Sequence, residues 1–311
     1  MKIFITGATG CIGHYVLDIL GQNPKHELHL LVRDPNRLRS NWKDHPRVTC
    51  HVGNMEDVSP LKSVIPQMDA IMHIATDWSD SDYAIKLNVE NTHKLFDMAD
   101  PEKCQKIVYF STASILGPQN KPTPAAGKYG AGYVRSKYHA YDSLEKCQLI
   151  DRIVTIFPTL VFGGDPDHPY SHITQGIKPN LNYLKWLRFF YVDGAFHFMH
   201  GYDIAQMAVY ALEHDTPANM VVGQDSITAK IAIQALCKTF DIPQWLRFRI
   251  PKKFIFGMAK MIRAQIGPWE RHCIENSYMV YDVVNPETYG LTSKFPTIQT
   301  LLEDIKQLPD G

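Results

Sequence analysis

Short apolar runs and amphipathic stretches alternate along the first half of the chain. Residues 2–6, 27–32, 48–51, 70–74, 106–110 and 152–157 have the length and apolar content of strands. Between them the spacing predicts helices over 13–21, 59–65, 84–99 and 132–146. Several strands are apolar on both faces, Ile107-Val108-Tyr109-Phe110 among them, as expected where helices cover both sides of a parallel sheet. The alternation predicts an α/β fold, a Rossmann-type doubly wound parallel sheet.

The second half is less regular. Helices are predicted over 204–214, with Asp203 as N-cap, and over 227–240, 252–263 and 297–307. Pro158 closes the last strand, and Pro- and His-rich sequence follows from 165 to 179. The expected organisation is an NAD(P)-binding Rossmann domain over 1–165 that also receives residues about 195–225. Residues 166–311 would mainly form a smaller C-terminal substrate lobe.

Composition narrows the function classes. The 311 residues are 45% hydrophobic and 21% charged, with 32 basic and 32 acidic residues. A chain with no basic excess is not expected to bind nucleic acid. No apolar run reaches the roughly 18 residues of a membrane span. The chain runs from Met1 straight into a strand with no secretory leader, so a cytoplasmic protein is expected. Six cysteines without CxxC pairing read as reduced, mostly buried thiols. His197 and His200, like His26 and His29, lack partners at ligand spacing, so no metal is expected. Residues 252–263 are basic and apolar at near-helical spacing, which reads as a lobe helix with snorkelling lysines rather than a membrane contact.

The candidate chemistry starts at Thr6-Gly7-Ala8-Thr9-Gly10-Cys11-Ile12-Gly13, between the first strand and the first helix. A pyrophosphate needs backbone N–H groups aimed at it and no Cβ in the way, and a helix N-terminus adds its dipole. Gly7, Thr9, Gly10, Cys11, Ile12 and Gly13 are the candidate phosphate contacts. The ribose discriminator lies near the end of the second strand, where Arg33 and Arg37 suit a 2′-phosphate. NADP is therefore the expected cofactor, with NAD the alternative, because Asp34 sits beside Arg33.

Tyr133 and Lys137 stand one helical turn apart. A phenol with a reference pKa near 10 exchanges protons poorly at neutrality, and a nearby ammonium would lower that value. The pair suits protonation of a carbonyl oxygen, or deprotonation of an alcohol, as hydride moves. Upstream, a strand ends in Ser111-Thr112-Ala113-Ser114, whose hydroxyls could hold the reacting oxygen.

Taken in order, these motifs resemble the extended short-chain dehydrogenase/reductase family, which includes nucleotide-sugar epimerases and dehydratases, dihydroflavonol reductases and hydroxysteroid dehydrogenases. The resemblance covers the glycine fingerprint, residues 53–57, 69–75, 87–92, 111–117, 133–137, 157–163 and 198–205. It implies Tyr133 as acid/base, Lys137 on the nicotinamide ribose, Thr112 as the catalytic hydroxyl and Asn88 as a pocket or relay residue. It further implies cofactor contacts from Asn54 and Met55 at the adenine, from Ile74 and Ala75, and from Pro158, Leu160 and Val161. Asn54 replaces the family's usual Asp, and Phe157 stands where many members have Arg. A homodimer through the helices at 84–99 and 132–146 is also implied.

The expected activity is hydride transfer between NADP and the ketone or alcohol of a small, hydrophobic substrate. The aromatics Tyr183, Trp186, Phe189, Phe190, Tyr191, Trp245, Phe248, Phe254 and Phe256 are expected to make the substrate lobe apolar. A nucleotide-sugar epimerase or dehydratase with retained cofactor is the alternative. A non-catalytic dinucleotide sensor is a third reading.

Overall fold

The computed structural model describes residues 1–79, 82–261 and 265–309. Its centre is a seven-stranded sheet. The strands are β1 (Lys2–Thr6), β2 (Glu27–Val32), β3 (Val48–Val52), β4 (Ala70–His73), β5 (Lys106–Phe110), β6 (Ile153–Pro158) and β7 (Asn219–Val222). All neighbours pair in parallel, in the order 3-2-1-4-5-6-7. The order reverses between β1 and β4, and an open α/β sheet binds its ligands at the carboxyl ends on either side of that point.

Alternation along each strand splits the core in two. Ile3 and Ile5 face α1 (Cys11–Leu20) and α4 (Gly201–Glu213) together with Val16, Leu17 and Met207. Phe4, Ile71 and Tyr109 face the opposite layer of α2 (Asn91–Asp97) and α3 (Gly132–Asp142). The smaller lobe has its own core, where α5 (Ala229–Thr239) and α8 (Ile298–Gln307) close over Phe162, Phe198 and Phe295. It also carries α6 (Lys252–Met261) and α7 (Pro268–Glu275). Ile262 and Arg263, the end of the helix expected over 252–263, lie outside the described residues.

Several expected elements differ. Pro60 and Pro66 reduce the 59–65 helix to two 3-10 turns, Ser59–Ser63 and Ile65–Gln67, because each proline removes an N–H donor. The 84–99 helix is interrupted by a π-helical turn, Lys86–Glu90. Asp203 is not an N-cap. His200 caps α4 by accepting the Tyr202 N–H at 3.1 Å. Asp203 lies fully buried in the first turn instead, accepting from Ser293 Oγ at 2.7 Å, Lys294 N at 2.8 Å and Phe295 N at 3.2 Å. It ties the C-terminal segment to the sheet. The six cysteines are free, three buried and three partly buried.

A charged clamp ties the 165–168 segment to α1. His168 lies between Asp18 on α1 and Asp165, at 2.7 Å from each, and stacks on Tyr15 with ring centroids 4.1 Å apart. Burial pulls the His168 pKa down, but the two carboxylates outweigh it and the net shift is upward.

Candidate active site

The glycine loop follows from sterics. Gly7 has φ +79°, and a Cβ there would sit 2.7 Å from Ala75 N; a Cβ on Gly13 would sit 2.1 Å from Gly7 O. Both atoms are backbone and cannot step aside. Gly10 starts α1 with no side-chain cap, so the first-turn amides are free to receive an anion. Thr6 Oγ1 accepts the Ala75 N–H at 3.2 Å, which sets Ile74 and Ala75 against the loop at the switch point. This cradle fits a dinucleotide pyrophosphate.

At the end of β2, Arg33 and Arg37 are both exposed. Asp34 is engaged elsewhere: its carboxylate caps the Pro35–Arg37 turn, accepting from Asn36 N at 2.9 Å and Nδ2 at 3.0 Å. Asn54 likewise accepts the Glu56 N–H at 2.9 Å, and Met55 is buried in the core. The Asn54 amide oxygen and the Met55 side chain therefore serve the fold.

At the carboxyl end of β5, Thr112 is buried and its Oγ1 accepts the Ser114 N–H at 3.2 Å. The same hydroxyl is the neighbour that acts on the Tyr133 phenol. Burial pushes the Tyr133 pKa up to about 12, against the lowering effect of Thr112. Lys137 is buried and its Nζ donates to Phe110 O at 2.7 Å, 5.0 Å from the centre of the Tyr109 ring. Burial pushes its own pKa down to about 7. Lys137 thus takes the strand-end carbonyl as its acceptor, and the Tyr133 pKa stands above its usual value.

Asn88 sits in the π-helical turn with all its polar atoms engaged. Its Oδ1 accepts from Asp77 N at 2.8 Å and Thr76 Oγ1 at 3.2 Å. Its Nδ2 donates to Asp77 O and to Ser136 Oγ, both at 2.9 Å. Ser136 Oγ in turn donates to Tyr133 O at 2.8 Å. Asn88 thus locks the loop after β4 to the helix that carries Tyr133. That loop presents Trp78, whose indole stacks on the Tyr133 ring at 3.9 Å and 17° and meets His172 edge-on at 5.1 Å. Sequence reading missed Trp78; its only signal was an aromatic in the loop following the β4 strand end.

Next to Thr112 opens a cavity of about 330 Å³, lined by residues from 113–114, 158–160, 192–197 and 273–281. Pro158 and Leu160 therefore lie at its wall. Tyr281 closes one side, its hydroxyl donating to Ala113 O at 3.1 Å. No described residue lining the cavity is a lysine or arginine. None of the nine lobe aromatics expected to shape it lines it; Phe196 and Tyr281 do. Most of the nine sit on the surface instead.

Sheet order and glycine cradle are those of the extended short-chain dehydrogenase/reductase class. The profile of the NAD dependent epimerase/dehydratase family matches residues 3–223, and the chain belongs to that family. It is 29% identical over 142 residues to GDP-mannose 4,6-dehydratase of Sordaria araneosa, covering 40% of this chain and 26% of the dehydratase. An oxidoreductase of Aspergillus parasiticus is 29% identical over 119 residues, 36% of this chain and 45% of that protein. An uncharacterized membrane protein of Methanocaldococcus jannaschii is 28% identical over 130 residues, 38% of each. The chain thus spans less than half the length of these relatives. Among solved structures, gox2253 superimposes with TM-score 0.74 at 21% identity, covering 98% of this chain and 96% of that one. The dTDP-glucose 4,6-dehydratase of Bacillus anthracis in complex with NAD does so with TM-score 0.67 at 16% identity, covering 99% and 96%. Both show the same fold. Among the described residues, no helix is long and apolar enough to cross a membrane.

Proposed function

We propose that this protein is an NADP-dependent oxidoreductase acting on the ketone/alcohol pair of a small, apolar substrate. The carrying observation is a largely apolar cavity next to Thr112 whose described lining has no lysine or arginine, with Tyr133 close enough for the Thr112 hydroxyl to lower its pKa. A sugar nucleotide would bring a diphosphate, which sites of this kind hold with cations. An uncharged apolar molecule needs none.

In this reading Tyr133 gives its proton to the carbonyl oxygen, or takes one from the alcohol, and Thr112 hydrogen-bonds that oxygen and aligns it. Lys137 holds the nicotinamide ribose hydroxyls. The amides around Gly7, Gly10 and Gly13 hold the pyrophosphate, and Arg33 with Arg37 holds the 2′-phosphate. Asn88 acts as a positioning residue, through the 76–78 loop and Ser136. NADP, when bound, supplies or accepts the hydride.

The test is an NADPH-consumption screen of apolar ketones and of sugar nucleotides, with Tyr133→Phe as control. Consumption with apolar ketones that disappears in the variant is expected. Conversion of a sugar nucleotide without net consumption, with cofactor that cannot be stripped, would overturn this reading in favour of an epimerase or dehydratase.

A further inference from the structure

Several lobe aromatics that do not line the cavity gather around one short outer ladder. The helix Leu181–Leu187 leads into the short strand Phe190–Tyr191, which pairs in parallel with Phe248–Arg249. Phe248 N donates to Phe189 O at 2.7 Å and Ile250 N to Tyr191 O at 2.9 Å. The Phe189 and Trp245 rings lie 6.5 Å apart. Around this ladder Trp186 is 75% exposed, Leu246 83% and Phe248 63%. Tyr183, Trp245 and Phe254 are exposed as well. Isolated exposed apolar residues are ordinary, but a group gathered on one ladder marks an interaction site.

The charge of this face is one-sided. Residues 181–192 and 242–257 carry Lys185, Arg188, Arg247, Arg249, Lys252 and Lys253 and no Asp or Glu. Asp193 and Asp241 adjoin these segments; Asp193 pairs with Arg249 and Asp241 with Lys306. Lys252 Nζ donates to the Glu275 carbonyl at 2.9 Å, and Arg188 Nη1 to the Pro243 carbonyl at 3.0 Å. Nε of Arg188, with Nε and Nη2 of Arg247, is shielded from solvent and meets no acceptor among the described residues. Arg188, at the end of the Leu181–Leu187 helix, and Arg247, just before Phe248–Arg249, thus keep unused donors, the chemistry of an anion partner.

We propose that this face docks onto an anionic lipid surface, with Trp186, Trp245, Leu246 and Phe248 entering the headgroup region and the cations meeting lipid phosphates. Trp and Tyr favour such an interface because one part of the ring system is apolar and another polar. Clustered Lys and Arg beside them add attraction to anionic headgroups. A second copy of the chain fits poorly, because a two-fold contact would set these cations against their own duplicates. A nucleic acid fits poorly too, since Leu246, the most exposed of the group, offers a base nothing to stack on. Phe190–Tyr191 runs directly into Val192 and Asp193 at the cavity wall. Delivery of an apolar substrate from the lipid rests on the proposed function; the docking does not.

The test is co-sedimentation of the full chain with phosphatidylcholine vesicles, with and without phosphatidylserine, at low and high salt. The wild type is compared with Trp245→Ala/Leu246→Ser, with Lys252→Gln/Lys253→Gln, and with Lys62→Gln in the sheet domain as control. Far-UV circular dichroism and NADPH titration check that each variant is folded. Phosphatidylserine-dependent, salt-sensitive binding that drops about tenfold or more in both double variants, and not in the control, is expected. Absence of vesicle binding, equal binding to neutral vesicles, or binding unchanged in both double variants would overturn the proposal. So would a dimer, or retention on heparin, that depends on these residues without any vesicle binding. None of these readouts uses enzymatic activity, so the docking can fail while the oxidoreductase reading stands, and the reverse.

Discussion

The phosphate cradle and the apolar cavity flank one site but are built in opposite ways. The cradle is backbone from a single run, 7–13, and the atoms nearest a Cβ on Gly7 or Gly13 are themselves backbone. The cavity is assembled from 113–114, 158–160, 192–197 and 273–281, mostly through side chains that can change rotamer. A backbone site admits one geometry, whereas a side-chain site can be reshaped one residue at a time. The difference explains how one fold can keep its cofactor while changing substrates.

Five substitutions test that contrast, the largest effect first. Tyr133→Phe, where the two halves meet, should lower kcat by about 10²–10⁴-fold with little change in KM, in steady-state assays of carbonyl reduction. The pH profile adds a sign check. With the phenol pKa pushed up to about 12, the Tyr133 proton donor is present across the neutral range, so any pH dependence of wild-type reduction there should follow Lys137, whose pKa is pushed down to about 7. Alcohol oxidation needs the phenolate and should climb as pH rises toward the phenol pKa.

Gly13→Ala should be the harshest change in the cradle, costing about 1–3 kcal/mol of stability by overpacking and abolishing NADPH binding. Thermal unfolding and calorimetric titration read both, and intact NADPH binding would break the comparison. Arg33→Ala should lose about tenfold or more of any preference for NADPH over NADH, the scale of one charge-assisted hydrogen bond, while NADH affinity holds. Equal NADPH binding in the variant would remove Arg33 from the 2′-phosphate.

Met279→Ala, in the cavity wall, should leave cofactor binding unchanged. It should shift kcat/KM between ketones of different bulk by about 10- to 200-fold at most. The smallest effect concerns the clamp between the 165–168 segment and α1. A raised histidine pKa stabilises the folded state fully below the usual value of 6.5 and loses that contribution as pH rises through the folded value. The Asp18 pKa is lowered because the His168 and Trp42 hydrogen bonds outweigh burial, so its share is lost in acid, below its usual 3.8. His168→Asn should therefore reduce thermal stability most between about pH 4 and 6.5 and least in alkali, as differential scanning across pH would show. A pH-independent loss would make the clamp simple packing.

Much of this molecule was readable from local pattern. The strands were legible because each is a short apolar run between turn residues, and the cradle because its glycines are adjacent in the chain. The 59–65 helix failed because Pro60 and Pro66 outweigh apolar spacing. Asp203 was read as a cap because it precedes an apolar helix pattern, but its partners lie at 293–295, far along the chain. Trp78 was not legible, because its place on Tyr133 depends on Asn88 holding the loop after β4 from within a π-helical turn.

By itself the sequence determined six of the seven strands, most of the flanking helices, the glycine turn and the identity of Tyr133, Lys137 and Thr112 as candidates, since each depends on residues close together in the chain. Tertiary structure alone decided that Lys137 turns to the Phe110 carbonyl, that the cavity is walled by 192–197 and 273–281, and that the lobe aromatics face outward. Those outcomes depend on which distant segments meet, and burial there decides both the direction in which a lysine pKa moves and the side of a wall on which a tryptophan lies.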